Sequence, residues 1–391
     1  MYKLIQLIRT IPSLKNSLSR PALRRHVFFA IVPATAFVAV AVALSLRARA
    51  DRIEAEGPNT TPTLTPTATP PAKFRVLTTV PIPTNAHFAL TVNQALNKIY
   101  TSGGASCDQG EEVFVIDGTT FATIFEGVGS GVSVDNKTNR YWAARVCPLF
   151  EGGFIVRDGD TNVELTDVTL GFCPISTTYD FKYNRVWVGA QCGFNNDPVF
   201  AVDAATFEVI TPDGIGSGGI MGPIVANGVN GRLYMEILEN GVEISKRVDP
   251  TTFAVTVNAF GIVRAINTVT NKLYAVPEGT NNLQIINGTP DPEVILKTIR
   301  LPYSPGSMGV NTALNYLYIA NPAGNSLEVR DPSTGALITI FTPLPATPDG
   351  PLAVDSIRGR IYIISFTPSS QLMVIEDLIN AFKPGAIISH F

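Results

Sequence analysis

A short motif ending in an aromatic residue recurs seven times and constrains the fold more than any other feature of this chain. Successive copies lie 40 to 47 residues apart and end at Tyr100, Trp142, Trp187, Tyr234, Tyr274, Tyr318 and Tyr362. Seven positions before each aromatic the residue is always Asn or Asp, and three positions before it is always Asn or Gly. These residue types close Asx turns and tolerate left-handed backbone. Each copy therefore predicts a hairpin turn between two strands.

The coarse pattern around each copy predicts four strands, a to d, with strand c ending in another turn-making residue. A repeat of about 40–45 residues that holds four strands is typical of a propeller blade. We therefore predict an all-β, seven-bladed β-propeller of four-stranded blades over residues 73–391. Each blade buries its faces only against its neighbours, so the ring has to close.

The predicted closure uses a strand from the other end of the repeat region. The seventh repeat ends its third strand at Leu372–Glu376 and shows no clear fourth strand after it. The segment Phe74–Pro83 resembles the fourth strands Val294–Pro302 and Leu337–Pro345. We expect it to pair with Leu372–Glu376 as the outer strand of the last blade, which removes an open sheet edge.

Two stretches carry a family resemblance. They read VNTALNYLYIANPAGNSLEVRDPSTGALITI and LTVNQALNKIYTSGG, the latter continuing to EEVFVIDGTT. Both resemble the YVTN-type β-propeller repeat, whose pattern V-N-P-x-T-N-K-x-Y-V is followed by a strand ending V-I-D. The resemblance covers about residues 73–377, with the fourth repeat the most divergent. It implies an extracytoplasmic or surface-layer propeller, a class mostly without assigned catalysis.

The N-terminal region predicts a location outside the cytoplasm. Residues 1–26 form a basic lead, and residues 27–46 are a run of 20 residues without a charge. A helix of that length spans the hydrocarbon core of a bilayer, about 30 Å. The larger positive cluster precedes the run and should stay in the cytoplasm, which sends the C-terminal part outward. The alternative is a signal peptide cleaved after Ala50, and the length of the run favours the uncleaved anchor.

Residues 47–72 form a linker that contains the Thr/Pro-rich stretch GPNTTPTLTPTATPPA. This stretch cannot join a sheet because proline lacks a hydrogen-bond donor.

The net charge of the residues after the N-terminal region excludes one class of partner. Residues 1–52 carry nine Lys or Arg and one acid, so residues 53–391 carry 20 bases against 31 acids. An acidic propeller repels phosphates, so we predict no nucleic-acid partner.

All four cysteines are predicted on one face of the ring, where b–c and d–a loops emerge. Spacing favours the disulfides Cys107–Cys147 and Cys173–Cys192, because the other pairings reach across two blades. Such bonds suit an oxidising compartment. A zinc site is the alternative, but no CxxC spacing or nearby His supports it. We predict no metal and no cofactor.

Positions where one repeat departs from the others are the candidate site residues. Thirteen residues before the aromatic, only His87 and Asp349 can titrate, and their blades meet across the closure. Ten residues before it, Arg264 is the one charge in an apolar row, so it needs water or a partner such as Glu278 or a channel carboxylate. One hypothesis makes His87 a general base oriented by Asp349, with Arg264 holding an anionic substrate. The other hypothesis makes His87 the cap of a solvent-exposed loop and Arg264 a residue that lines a water-filled channel. Asp158–Asn162 has the D-x-D-x-N start of a calcium loop but lacks its Gly and Glu.

The sequence therefore predicts a non-catalytic binding or interaction module at the cell surface. Its expected binding surface is the cysteine-bearing face, where long loops break the short-turn pattern. These loops are Gly103–Glu111, Val146–Gly153 and Gln191–Pro198. The partner would be a protein or a small molecule. The alternatives are a lactonase-like hydrolase or lyase with a site at the channel mouth, and a structural component of the cell envelope.

Overall fold

The computed structural model describes residues 74–82, 87–103, 112–146, 151–190, 198–216, 219–220, 222, 224–239 and 242–378. The predicted segments 1–26, 27–46 and 47–72 lie outside these residues, and so do most residues of the three long loops. Over the described ranges the chain is all-β, and no helix there is long and apolar enough to cross a membrane.

Seven antiparallel sheets follow one another along the chain, and together they form the predicted seven-bladed propeller. The first strand is β1 (Phe74–Pro81). Blade 1 contains β2 (His87–Asn93), β3 (Lys98–Gly103), β4 (Glu112–Asp117) and β5 (Thr123–Gly127). Blade 2 contains β6 (Val132–Asp135), β7 (Arg140–Arg145), β8 (Gly152–Asp158) and β9 (Glu164–Phe172). Blade 3 contains β10 (Pro174–Asp180), β11 (Arg185–Ala190), β12 (Pro198–Asp203) and β13 (Ile215–Gly216).

Blade 4 departs from the pattern because its innermost strand is divided into two short pieces that both pair with the second strand. It contains β14 (Gly219–Ile220), β15 (Val225–Ala226), β16 (Leu233–Glu239), β17 (Val242–Val248) and β18 (Val255–Val257). Blade 5 contains β19 (Ile262–Asn267), β20 (Lys272–Val276), β21 (Asn282–Asn287) and β22 (Val294–Arg300). Blade 6 contains β23 (Met308–Asn311), β24 (Tyr316–Asn321), β25 (Ser326–Arg330) and β26 (Leu337–Phe341).

Blade 7 takes its outer strand from the start of the repeat region. It contains β27 (Leu352–Asp355), β28 (Arg360–Ser365) and β29 (Gln371–Asp377), and β1 pairs antiparallel with β29 from Phe74 opposite Asp377 to Pro81 opposite Gln371. This is the pairing that the sequence predicts, two residues shorter at its C-terminal end. Arg75 and Glu376 join across it at 2.7 Å.

The core lies between blades, because the second and third strands of most blades are covered on both faces. β8 and β11 are therefore near-continuous runs of buried residues, whereas the outer strand β9 alternates exposed and half-buried positions. A strand that is buried on both faces has no need of polar alternation. The seven aromatics of the repeat all lie in this core, essentially without solvent exposure.

The hairpin turns have the backbone that the sequence predicts. The residue three before each aromatic is left-handed in all seven blades, with φ between 50° and 76° at Asn97, Asn139, Asn184, Gly231, Asn271, Asn315 and Gly359. The Asn or Asp four residues earlier is buried in every blade, and its side-chain oxygen accepts hydrogen bonds from the backbone of the turn. The amide of Asn93 also donates to Asn139 of the next blade at 2.9 Å. These residues are therefore turn and blade-joining elements.

The turns after the third strands make the propeller sensitive to acid. The backbone N–H of the Thr three residues later holds the pKa below 3.8 at Asp117, Asp158, Asp203 and Asp249. A carboxylate with a lowered folded pKa stabilises the fold above its unfolded pKa and loses that effect as pH falls through the folded value. We expect the melting temperature to fall below about pH 4.

The check is a series of thermal melts between neutral pH and about pH 3 on the native chain and on a variant with Asn at all four turns. Asn keeps an oxygen that accepts the turn hydrogen bonds but does not titrate. The acid-induced fall should be shallower in the variant. Equal slopes would show that other carboxylates control acid unfolding.

One buried ion network joins blades 4 and 5. Glu293 Oε1 lies 2.9 Å from the guanidinium of Arg232, and its Oε2 lies 2.6 Å from that of Arg247. The carboxylate of Asp291 contacts the same two guanidinium groups, at 3.1 Å from Arg232 and 2.6 Å from Arg247. The hydroxyl of Tyr234 donates to Glu293 at 2.7 Å. Both carboxylate oxygens of Glu293 are thus paired, so the network is a structural joint.

Candidate functional site

The innermost strands line a central channel that encloses a cavity of about 300 Å³. All seven residues of the row ten positions before the aromatic line it, as the repeat alignment implies: Leu90, Val132, Thr177, Ile224, Arg264, Met308 and Leu352. The row is apolar or hydroxylated except at Arg264. Arg264 is thus the charged residue of this row, and its six counterparts in the other blades are uncharged.

Arg264 forms an ion pair with Glu236 across the boundary of blades 4 and 5. Its guanidinium lies 3.3 Å from Glu236 Oε2, and the carboxylate is mostly buried. Arg264 is the extra residue of a β-bulge in β19, since Val263 and Ala265 oppose consecutive residues of β20. A bulge re-aims a side chain. The sequence prediction named Glu278 or a channel carboxylate as the partner; it is Glu236, whereas Glu278 lines a separate cavity of about 280 Å³.

Glu236 lies on β16, behind the break in the innermost strand of blade 4. A Cβ added at Gly222, between β14 and β15, would lie 3.7 Å from Glu236 Oε2, so the carboxylate lies close to this glycine. The position two residues after the aromatic carries Ser102, Ala144, Gly189, Val276, Ala320 and Ile364 in the other blades. The charge of Glu236 at this offset is the sequence signal that could have indicated the pair.

Asp349 is held by its own blade. Oδ1 accepts the backbone N–H of Phe366 at 2.7 Å, and Oδ2 accepts the hydroxyl of Thr367 at 2.9 Å. The carboxylate thus ties the entry of β27 to the loop after β28. His87 begins β2 opposite Gly103, and its side chain lies outside the described residues. The His87–Asp349 pair therefore stays a prediction.

The calcium-like segment is one of several equivalent turns. Asp158 Oδ1 accepts the backbone N–H groups of Asp160 and Thr161 and the hydroxyl of Thr161. Asp117 makes the same bonds to Thr119 and Thr120 in blade 1. Turn chemistry accounts for the pattern. Over the described ranges, no group of three or more His, Cys, Asp or Glu is arranged to hold a metal.

The predicted disulfides fall largely outside the described residues. Three of the four cysteines, Cys107, Cys147 and Cys192, lie in loops outside the described residues. Cys173 is buried beside Val146 and Ile175 at the entry to β10. The two pairings therefore stay predictions.

The mouth of the channel opposite the cysteine-bearing loops lies where the a–b turns emerge. It opens into a larger cavity of about 700 Å³. Thr91, Ser133 and Thr178 line both this cavity and the channel, so the two are continuous. The wall also contains Phe181 and Thr268. No Asp, Glu, Lys, Arg or His is found among the described residues that line it. The space therefore presents hydroxyls, an amide and aromatic rings without a formal charge.

Large apolar side chains are exposed on the a–b turns of four blades. We call them the apolar rim: Phe181, Val229, Val269 and Ile357. Each follows the buried Asn or Asp of its turn by one or two positions, and the first two also line the larger cavity. The turns are already closed by the buried Asx residues, so folding does not require these side chains.

Solved structures share this fold at low identity. The β-propeller domain of Cps50 (Swd1) from Myceliophteria thermophila is 10% identical with a TM-score of 0.58, over 78% of this chain and 99% of that one. The hydrazine synthase of Kuenenia stuttgartiensis is 14% identical with a TM-score of 0.56, over 76% of this chain and 97% of that one. At such identity the likeness shows the propeller fold alone. No protein-family model matches the chain, and no curated protein does.

Proposed function

We propose that this protein is a non-catalytic binding module, held on the outer side of a cell membrane, that engages a partner protein through the a–b mouth of its propeller. The apolar rim is the observation that carries the proposal. Single exposed apolar residues are ordinary on protein surfaces, but clusters around a cavity mark binding sites. Four of the seven equivalent turns carry one here.

The channel chemistry supports binding over catalysis. In the hydrolase hypothesis, Asp349 orients His87 and Arg264 holds an anion. Both carboxylate oxygens of Asp349 accept bonds from its own blade, and Arg264 faces Glu236. An arginine that is already paired attracts an anionic substrate less strongly than an unpaired one.

The location rests on the N-terminal sequence. The uncharged run 27–46 with its basic lead favours an uncleaved anchor with the propeller outside, and the Thr/Pro spacer would hold the propeller off the surface. The resemblance to YVTN-type repeats points to the same compartment. The cysteine-bearing face, with its long loops, is the second surface to which a partner could bind.

Photo-crosslinking in intact cells tests the binding surface. A benzophenone photo-crosslinker replaces Val269 on the apolar rim or, as a matched control, Val257 on the outer strand of blade 4. Both valines are well exposed, at 74% and 63%. We expect a discrete adduct from position 269 that position 257 does not give, and expect Phe181→Ser to reduce it. Identical adducts from both positions, or none, would contradict the rim as the binding surface.

The same cells report the location. A membrane-impermeant amine-reactive biotin reagent should label the propeller lysines before lysis, with the chain recovered in the membrane fraction. Labelling that requires lysis would place the propeller inside and refute the outward orientation.

A further inference from the structure

We propose that the larger cavity at the a–b mouth binds a neutral saccharide. This inference rests on the proposed binding function and names a ligand class for the same mouth. The cavity volume of about 700 Å³ is that of a small-ligand site, since such sites span about 300–1,000 Å³. It has room for a short oligosaccharide.

A one-sided row of hydroxyls is the first supporting observation. Nine residues before the aromatic stand Thr91, Ser133 and Thr178 in the first three blades. The other blades carry Val225, Ala265, Gly309 and Ala353 at this position. The fold accepts apolar residues there, so the repeat does not require the hydroxyls. Because blades 1 to 3 are adjacent, these three residues form a polar wall on one side of the cavity, in which Thr178 Oγ1 already accepts the backbone N–H of Ala226 at 3.4 Å.

Ser133 is a buried hydroxyl that lacks a partner. The residue lines the cavity and is 7% exposed, and its Oγ, which is itself covered from solvent, finds no hydrogen bond among the described residues. A buried polar group without a partner lowers stability by about 1–3 kcal/mol. Binding requires Ser133 to turn Oγ into the cavity, where a ligand hydroxyl would both donate to this oxygen and accept from it, which suits a polyol.

Phe181 supplies an apolar face beside the hydroxyls. Its ring stands nearly perpendicular to that of Tyr179, at 86° and 6.3 Å between centroids, and the side chain remains exposed. The electron-rich face of an aromatic ring attracts positively polarised groups. The C–H face of a sugar ring is such a group, so ring and hydroxyls match the two sides of a saccharide.

The lack of charged side chains on the described cavity wall favours a neutral ligand over an ionised one. No Asp, Glu, Lys, Arg or His lines the described wall, and Arg264, the charged residue that lines the adjoining channel, is paired with Glu236. An ionised ligand would lose hydration in the cavity without gaining a counter-charge. A neutral saccharide has no such cost.

The test is saturation-transfer NMR on the full chain, purified without sugar-based detergents, with maltotriose, cellotriose and chitotriose as neutral probes. Trigalacturonate and a neutral hexapeptide serve as the charged and peptide comparisons. We expect at least one neutral trisaccharide to bind. Ser133→Ala and Phe181→Ala should each weaken it about tenfold, and Val257→Ala should leave binding unchanged.

Both cavity variants should fold, because Ser133 Oγ has no partner to lose and the Phe181 ring is exposed. An unchanged melting temperature verifies this. The inference falls if no neutral trisaccharide binds, if trigalacturonate or the peptide binds instead, or if both variants bind like the native chain. A photo-crosslinked partner without saccharide binding leaves the proposed function standing. Cleavage of a bound trisaccharide would refute a non-catalytic role and keep the ligand class.

Discussion

Replacing Glu293 by glutamine should lower the free energy of unfolding by about 3–5 kcal/mol, the range for breaking a buried ion pair from one side. Glu293 is 2% exposed at its side chain and pairs with Arg232 and Arg247 through separate oxygens. The amide keeps the shape but removes the charge, so two guanidinium groups would then share Asp291. The measurement is urea unfolding followed by circular dichroism.

Asp291 provides the matched control for this prediction. It contacts the same two arginines, but its side chain is 53% exposed, so water can replace it. Exposed ion pairs contribute about 0–1 kcal/mol, and Asp291→Asn should cost no more than that. If the two variants lost equal stability, burial would not be what gives the network its strength.

The second large effect is expected at Trp142, which joins blades 2 and 3. Its ring lies 5.3 Å from that of Phe154 and 5.6 Å from that of Phe207, between centroids, and the side chain is fully buried. Large-to-small changes of a buried Trp cost about 3–5 kcal/mol because they remove packing and leave a cavity. Trp142→Ala should therefore destabilise the propeller by that amount.

Trp142→Tyr is the control, because five other blades carry Tyr at this position, and we expect it to retain most of the stability. Two tryptophans occur in the chain, so in either variant the fluorescence of Trp187 alone reports unfolding at the boundary of blades 3 and 4. If Trp142→Ala unfolded at the same urea concentration as the native chain, the ring would not be an anchor of the core.

The elements that repeat were predictable from the sequence, because each appears seven times and a local rule accounts for it. The left-handed turn residues, the buried Asn and Asp and the buried aromatics follow from turn chemistry and burial. Boundaries were less predictable. Phe121 lies in an apolar stretch after the third strand but is a left-handed turn residue at φ 59°, and the outer strand β5 begins only at Thr123.

The site was less predictable because it lies where the repeat fails. Arg264 was identified from its column, but its partner Glu236 lies in blade 4, whose innermost strand is divided. That division has no counterpart in the other blades, so no repeat rule predicts it. The apolar rim was missed because Phe181 and Val269 follow the turn residues and read as ordinary loop positions.

The pairing of β1 with β29 sets an order for synthesis of this protein. Arg75 and Glu376 lie 301 positions apart, so the ribosome makes one partner long before the other. Blade 7 cannot be assembled until β29 has emerged, and β29 offers an unpaired edge until β1 reaches it. Pairing between distant segments is slow, and open edges favour aggregation. Chaperone protection would therefore matter most in the interval before β1 and β29 meet.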